Sequence, residues 1–239
     1  MACLTRCYSP TYFAGSHPRG SCIRCPERQA QIAAAVLVVG GLTLAAAISW
    51  ETFLVLAIYV VAAQSYSLYF RQRMLLDVFV LAFLYTIRVI GGGIATGNHV
   101  TIWLLAFASF IFLGLALLKR CAELIRLAES DSDSDSKARG SRAYRFSDLP
   151  LLQTFGIASS FLSVLILSLY VDSHVAETTY ARPHALWAVV PLLLLWLCRL
   201  WMKTSRGEMH HDPIVFSMRD RDSWLIGAAI LAAIGIAVV

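Results

Sequence analysis

The sequence predicts an all-α integral membrane protein, a bundle of about seven transmembrane helices. Three observations carry this: a mean hydropathy of +0.67, 58% hydrophobic against 15% charged residues over 239 positions, and apolar runs of span length that are continuous rather than alternating. A soluble domain is far less apolar than this. A span takes roughly 20 apolar residues to cross a hydrocarbon core of about 30 Å. Backbone polar groups have no partner in lipid, so each such run must be helical, and unbroken apolarity argues against an outer-membrane barrel.

In chain order, residues 1–29 form a cytoplasmic leader containing Arg, Pro and Gly, without the apolar core of a cleavable signal peptide. Cys3, Cys7, Cys22 and Cys25 are spaced as C-x3-C and C-x2-C, a zinc-like pattern. With too few apolar residues there to pack a zinc module, a reduced leader is the simpler reading. Residues 30–239 form the helical domain, with spans expected at 31–49, 52–69, 75–96, 101–118, 152–171, 185–202 and 223–239. Residues 130–140 include the run SDSDSDS from Ser130 to Ser136, a solvated, flexible insertion by composition.

The net charge of +5 follows membrane topology and not a nucleic-acid surface. Arg6, Arg19, Arg24 and Arg28, then Arg71 and Arg73, then Lys119 to Arg145, then Lys203 to Arg221 all fall on one side if the N-terminus is cytoplasmic. The opposite loops carry little beyond Arg182. This is the positive-inside pattern of a multi-pass plasma-membrane protein, and one span more or fewer would break it.

Charges inside spans are costly and mark functional positions. Asp77 lies at the start of the third span and Arg88 eleven residues on, about three turns and so one face; Arg88 is expected to face a cavity. Gly91, Gly92 and Gly93 follow it and suit close helix packing. Four cytoplasmic clusters mix cations with acids or hydroxyls: His17, Pro18 and Arg19; Tyr66, Tyr69, Arg71, Arg73 and Asp77; Lys119, Arg120 and Glu123 with Arg142, Tyr144, Arg145 and Asp148; and Asp212, Pro213, Arg219, Asp220 and Arg221. On a helix Lys119 faces Glu123, and Arg73 faces Asp77. Such groups at the membrane surface suit a phosphate-bearing substrate, with Mg2+ bridging carboxylate and phosphate and Arg forks neutralising the remainder. His210 and His211 beside Asp212 make a poor metal site, since adjacent histidines diverge. No P-loop, H-E-x-x-H or Ser-His-Asp arrangement occurs.

The segments YSLYFRQRMLLDVFVLAFLYTIRVIGGGIATG from Tyr66, LALLKRCAEL from Leu115, SRAYRFSDLPLL from Ser141 and HDPIVFSMRDR from His211 together resemble the UbiA-type membrane prenyltransferase superfamily, and within it the branch that transfers phosphoribose to decaprenyl phosphate. The resemblance implies a helical bundle of nine around a cavity open to the cytoplasm and to lipid. It implies transfer of 5-phosphoribose from phosphoribosyl pyrophosphate to a polyprenyl phosphate, assisted by Mg2+, in cell-wall arabinan precursor synthesis. On that reading Lys119, Arg120 and Glu123 contact donor phosphate or metal, Tyr69, Arg71, Asp77, Arg142, Tyr144 and Asp148 support them, and Glu123 and Asp77 are the metal ligands. The family's first acidic motif, N-D-x-x-D-x-x-x-D, has no counterpart before His17 and Pro18. The seven spans then match the family's third to ninth helices, as in an N-terminally truncated member. An aromatic prenyltransferase using polyprenyl pyrophosphate and a noncatalytic lipid-phosphate-binding protein stay open as alternatives.

Overall fold

A computed structural model describes residues 27–70, 73–98, 100–130, 144–208 and 220–238. The cysteine leader, His17, Pro18, Arg19, Arg24, Arg71, Arg142, the Ser/Asp run after Ser130, and His210 to Arg219 lie outside the described residues. The chain divides into two compact units, Met1–Val39 and Gly40–Val239. Of the first, the described part is the opening of helix α1 (Glu27–Ile48).

In the second unit α1 ends at Ile48, and α2 (Trp50–Leu68) starts at once because Ser49 caps it, its Oγ accepting the Thr52 N–H at 3.1 Å. There follow α3 (Leu76–Thr96), α4 (Ile102–Ser130), a three-ten turn Phe146–Asp148 and α5 (Leu149–Val171). A short α6 (His174–Thr179) and a three-ten segment Pro183–Ala188 lead into α7 (Val189–Ser205), and α8 (Arg221–Val238) closes the described chain. The described residues contain no strand.

Among the described residues six helical stretches are long and apolar enough to cross a membrane: Trp50–Leu68, Leu76–Thr96, Ile102–Ala128, Phe146–Val171, Pro183–Ser205 and Arg221–Val238. The first expected span, 31–49, corresponds to a shorter described apolar helix, Ile32–Ile48. Boundaries agree with the sequence reading to a few residues except in α4, whose 29 residues extend about 43 Å, some 13 Å beyond the hydrocarbon core. Hydropathy stops at Leu118, where the first cation enters. The helix does not, because LKRCAELIRLAE is made of strong helix formers.

The helices alternate in direction, giving the bundle a charged end, where α3, α5 and α8 begin and α2, α4 and α7 finish, and a far end. α4 packs most extensively on α5, α3 lies between α4 and α2, and α7 joins α4 and α5 to α8. Lipid gives apolar side chains no reason to cluster, so close backbone approach and interhelical hydrogen bonds hold such bundles. A Cβ on Gly114 would meet Ser160 Oγ at 2.5 Å, and one on Gly156 would meet the Trp201 ring at 2.3 Å. Around these contacts Ser159 Oγ donates to the Phe110 carbonyl at 2.8 Å and Trp201 Nε1 donates to Ser160 Oγ at 3.1 Å. At the far end Gly97, at φ +71°, closes α3 with the Asn98 N–H on the Gly93 carbonyl at 2.9 Å. There too the Arg182 N–H donates to the Ala237 carbonyl at 3.0 Å, satisfying a terminal acceptor of α8.

Candidate functional site

The charged end is organised around one buried carboxylate. Asp77 stands in the first turn of α3 at 1% exposure, Arg120 near the end of α4 at 3%, and Tyr144 just before α5 at 2%. The Tyr144 hydroxyl donates to Asp77 Oδ1 at 2.5 Å and accepts the Leu75 N–H at 2.8 Å. The Arg120 guanidinium pairs with Asp77 through one terminal nitrogen and with Glu123, one turn on, through the other. It also lies over the Tyr144 ring, 5.6 Å from the centroid. Arg120 Nε is buried with no partner among the described residues. Burial first, then the hydrogen bond to Asp77, pushes the Tyr144 hydroxyl well above the ordinary tyrosine range, so it remains a donor.

The node joins three segments distant in sequence. Leu75 adopts φ +63°, a conformation a leucine avoids, and the Tyr144 hydroxyl holds its amide there. Below lies a packed layer of Val78, Leu117, Leu118, Cys121, Leu124, Leu152, Leu200 and Trp201, so the polar groups rest on a fixed floor.

Of the residues singled out in the sequence, Asp77, Arg120, Glu123 and Tyr144 come together. Tyr69, Arg73 and Arg145 are exposed at the same end, and Lys119 is half-buried. Asp148 caps its own turn, its Oδ2 accepting the Arg145 N–H at 2.9 Å. Arg73 precedes α3 and does not share that helix with Asp77. Among the described residues no group of three or more His, Cys, Asp or Glu side chains is placed to hold a metal ion. Both Asp77 oxygens already accept hydrogen bonds.

Arg88 stands apart, exposed in mid-span. Its Nε donates to the Tyr59 hydroxyl at 3.1 Å, and its fork lies 5.0 Å from the Tyr59 ring and 5.2 Å from that of Tyr85.

A second polar group ties α7 to α8. Asp220 accepts from Lys203 at 3.1 Å and Arg199 at 3.5 Å, and its Oδ2 caps α8 through the Ser223 N–H at 3.2 Å and hydroxyl at 2.8 Å. Arg199 also reaches Asp222 at 2.5 Å. Sequence reasoning passed over Arg199, although an arginine inside an apolar span, four residues before Lys203 on the same face, was the signal to follow. Burial works to raise the Asp220 carboxyl, but the bonds from Ser223 and Lys203 outweigh it and hold it below the usual range. A depressed folded value means stability present above the unfolded value of about 3.9 and lost as pH falls through the lower folded one. Asp220→Asn is therefore expected to lower the thermal midpoint at pH 7 and to flatten the decline below pH 4, both read by melting in detergent across pH.

A cavity of about 350 Å3 lies at the far end, lined by Trp103, Phe107, Tyr170, Tyr180, Leu186, Ile234 and neighbours. None of the charged groups above lines it.

Fold and site together define a multi-pass helical membrane protein whose polar groups are gathered at one end of the bundle. Residues 24–226 match the UbiA prenyltransferase family, and the chain belongs to that family, one of membrane prenyl-group transferases. It is 33% identical over 203 residues to the uncharacterized protein y4nM of Sinorhizobium fredii, covering 84% of this chain and 39% of that one. It is 28% identical over 185 residues to the nodulation protein NoeC of Azorhizobium caulinodans, 77% of this chain and 57% of the other. It is 25% identical over 215 residues to decaprenyl-phosphate phosphoribosyltransferase of Mycolicibacterium smegmatis, 89% and 66% respectively. The chain thus spans between 39% and 66% of the lengths of these relatives.

Proposed function

We propose that this chain carries the phosphate-binding half of a transferase that moves 5-phosphoribose from phosphoribosyl pyrophosphate to a polyprenyl phosphate, in the plasma membrane with its charged end cytoplasmic. What supports this reading is the gathering of cationic and phenolic side chains at the charged end, Tyr69, Arg73, Arg126 and Arg145 exposed and Lys119 half-buried, at the same end as the buried Asp77–Arg120–Tyr144 node. The likeness to the mycobacterial phosphoribosyltransferase supports the choice of donor, and the positive-inside rule supports the orientation.

In this reading an oxygen of the lipid phosphate attacks the anomeric carbon, a new C–O bond forms there, and the bond to the diphosphate breaks. The diphosphate leaves with the electron pair. Lys119, Arg73 and Arg145 bind and orient the donor's phosphates and stabilise the charge growing on the leaving group. Arg120 and Asp77 act beneath them as positioning residues.

Members of this family generally use a divalent cation, and Mg2+ as that cation belongs to the same proposal. The described residues do not form a site for it on their own, since Asp77 is already engaged on both oxygens and Glu123 pairs with Arg120.

Nanodiscs containing the full chain, given labelled phosphoribosyl pyrophosphate and a polyprenyl phosphate, are expected to place label in the lipid phase. Lys119→Gln should raise KM for the donor about tenfold, the cost of one charge-assisted bond, with kcat less affected. Label that appears only with prenyl pyrophosphate and an aromatic acceptor, or in no lipid at all, sinks this reading.

A further inference from the structure

Among the described residues Leu75 is the one non-glycine residue with a positive φ. At φ +63° and ψ −41°, with the Leu76 N–H donating to the Met74 carbonyl at 2.7 Å, it is the centre of a γ-turn of the rare, strained hand. A leucine stays in such a conformation only where its surroundings over-determine it, and strained positions of this kind gather at functional sites.

Three contacts hold Leu75. Its carbonyl accepts the Val78 and Phe79 N–H groups, both at 3.1 Å, which are bonds of α3 itself. Its side chain packs against the buried layer beneath the node, a contact without direction. The third comes from 69 residues away, where the buried Tyr144 hydroxyl accepts the Leu75 N–H at 2.8 Å. That bond alone fixes the direction of the amide, and so the direction from which the chain reaches α3.

Two residues earlier stands the exposed Arg73. Its N–H donates to the Phe70 carbonyl at 3.1 Å, and its carbonyl accepts the Asp77 N–H at 3.2 Å. The chain therefore passes from an exposed cation to a wholly buried acid within four residues, and Leu75 is the joint. Relaxation to an ordinary negative φ would turn the chain before Leu75 by roughly 120° about its N–Cα bond, carrying Arg73 off its place. The hydroxyl that prevents this also donates to Asp77 Oδ1, so one group ties the buried node to the segment that carries the cation.

We infer that Tyr144 is a positioning residue whose hydroxyl latches the Leu75 amide and thereby sets where Arg73 stands for an incoming diphosphate. The role of Arg73 rests on the proposed function; the latch does not.

The test uses the full chain in nanodiscs with two readouts. Hydrogen exchange is followed in peptides covering Arg73 to Val80, where Tyr144→Phe should speed exchange of the Leu75 amide at least tenfold. Asp77→Asn should leave that amide protected, because the Tyr144 hydroxyl still accepts it. Equilibrium binding of inorganic pyrophosphate is the second readout, and Tyr144→Phe should weaken it about fivefold to tenfold. In an Arg73→Gln background the same change should add nothing. In a Leu75→Gly background, where a positive φ carries no steric cost, its effect should shrink to about twofold or less. A merely structural Tyr144 would give losses that multiply in both backgrounds, and that result overturns the proposal. If Tyr144→Phe does not fold, Leu75→Pro, which lacks the N–H and imposes a negative φ, carries the decision, and wild-type pyrophosphate affinity in it overturns the latch. No pyrophosphate binding by wild type overturns the diphosphate reading and the positioning role with it. Normal binding with Leu75 exchange unchanged by Tyr144→Phe overturns the latch alone, so the two failures are distinguishable.

Discussion

Arg120→Gln is expected to destabilise the protein by about 3–5 kcal/mol, the usual cost of stranding one partner of a buried ion pair. Arg120 and Asp77 are both almost wholly enclosed. Without the guanidinium, Asp77 loses its buried charged partner while keeping the Tyr144 hydroxyl, and Glu123 loses the same cation. Asp77→Asn should cost less, since a neutral amide still accepts from Tyr144 and Arg120 retains Glu123. The double variant should recover part of the loss of Arg120→Gln, because no unpaired buried charge remains. The measurement is a double-mutant cycle by reversible unfolding in mixed micelles. Single losses that simply add would show that the two residues do not act as a pair. The same cycle separates anchoring from substrate contact. A phosphate ligand would shift KM at unchanged stability, whereas a buried anchor shifts stability first.

The membrane class, the helix positions and the polar end were legible in the sequence because hydropathy, span length and the positive-inside pattern are local or additive properties. What was not legible depended on contacts across the chain. Asp77 looked like an acid for Arg73 four residues earlier, yet the turn before α3 removes Arg73 from the helix, and the buried partner is Arg120, 43 residues away. Tyr144 looked like one more polar residue beside the Ser/Asp run, and nothing local says that its hydroxyl holds the Leu75 amide. The end of α4 was placed at Leu118 because hydropathy falls there, while helix propensity carries the chain on past Glu123. Arg88 was recognised as costly from depth alone. Its expected cavity became an exposed face with a tyrosine on each side, a geometry that needs Tyr59 from another helix.

The second large effect is expected from a position with no chemistry at all. Gly156→Val should cost about 3 kcal/mol or more, beyond the 1–3 kcal/mol usual for an overpacked core. Even a single Cβ at Gly156 would come within 2.3 Å of the Trp201 ring and 3.1 Å of Leu117 Cβ. The ring has little freedom to retreat, since Trp201 is buried and its Nε1 is bonded to Ser160. In lipid there is no hydrophobic gain to offset the separation of α5 from α4 and α7, because tails solvate the exposed surface as well as the protein did. The strain therefore passes to the layer of Leu117, Leu118, Cys121 and Leu200 beneath Arg120 and Tyr144. If the proposed transfer is right, Gly156→Val should thus weaken donor binding as well as stability, although the position carries no polar group of its own. Pairing it with Trp201→Phe, which vacates the space the valine needs, should recover most of the loss in thermal midpoint. Failure of that rescue, with each variant alone folded, would mean that the close approach at Gly156 does not hold these helices together.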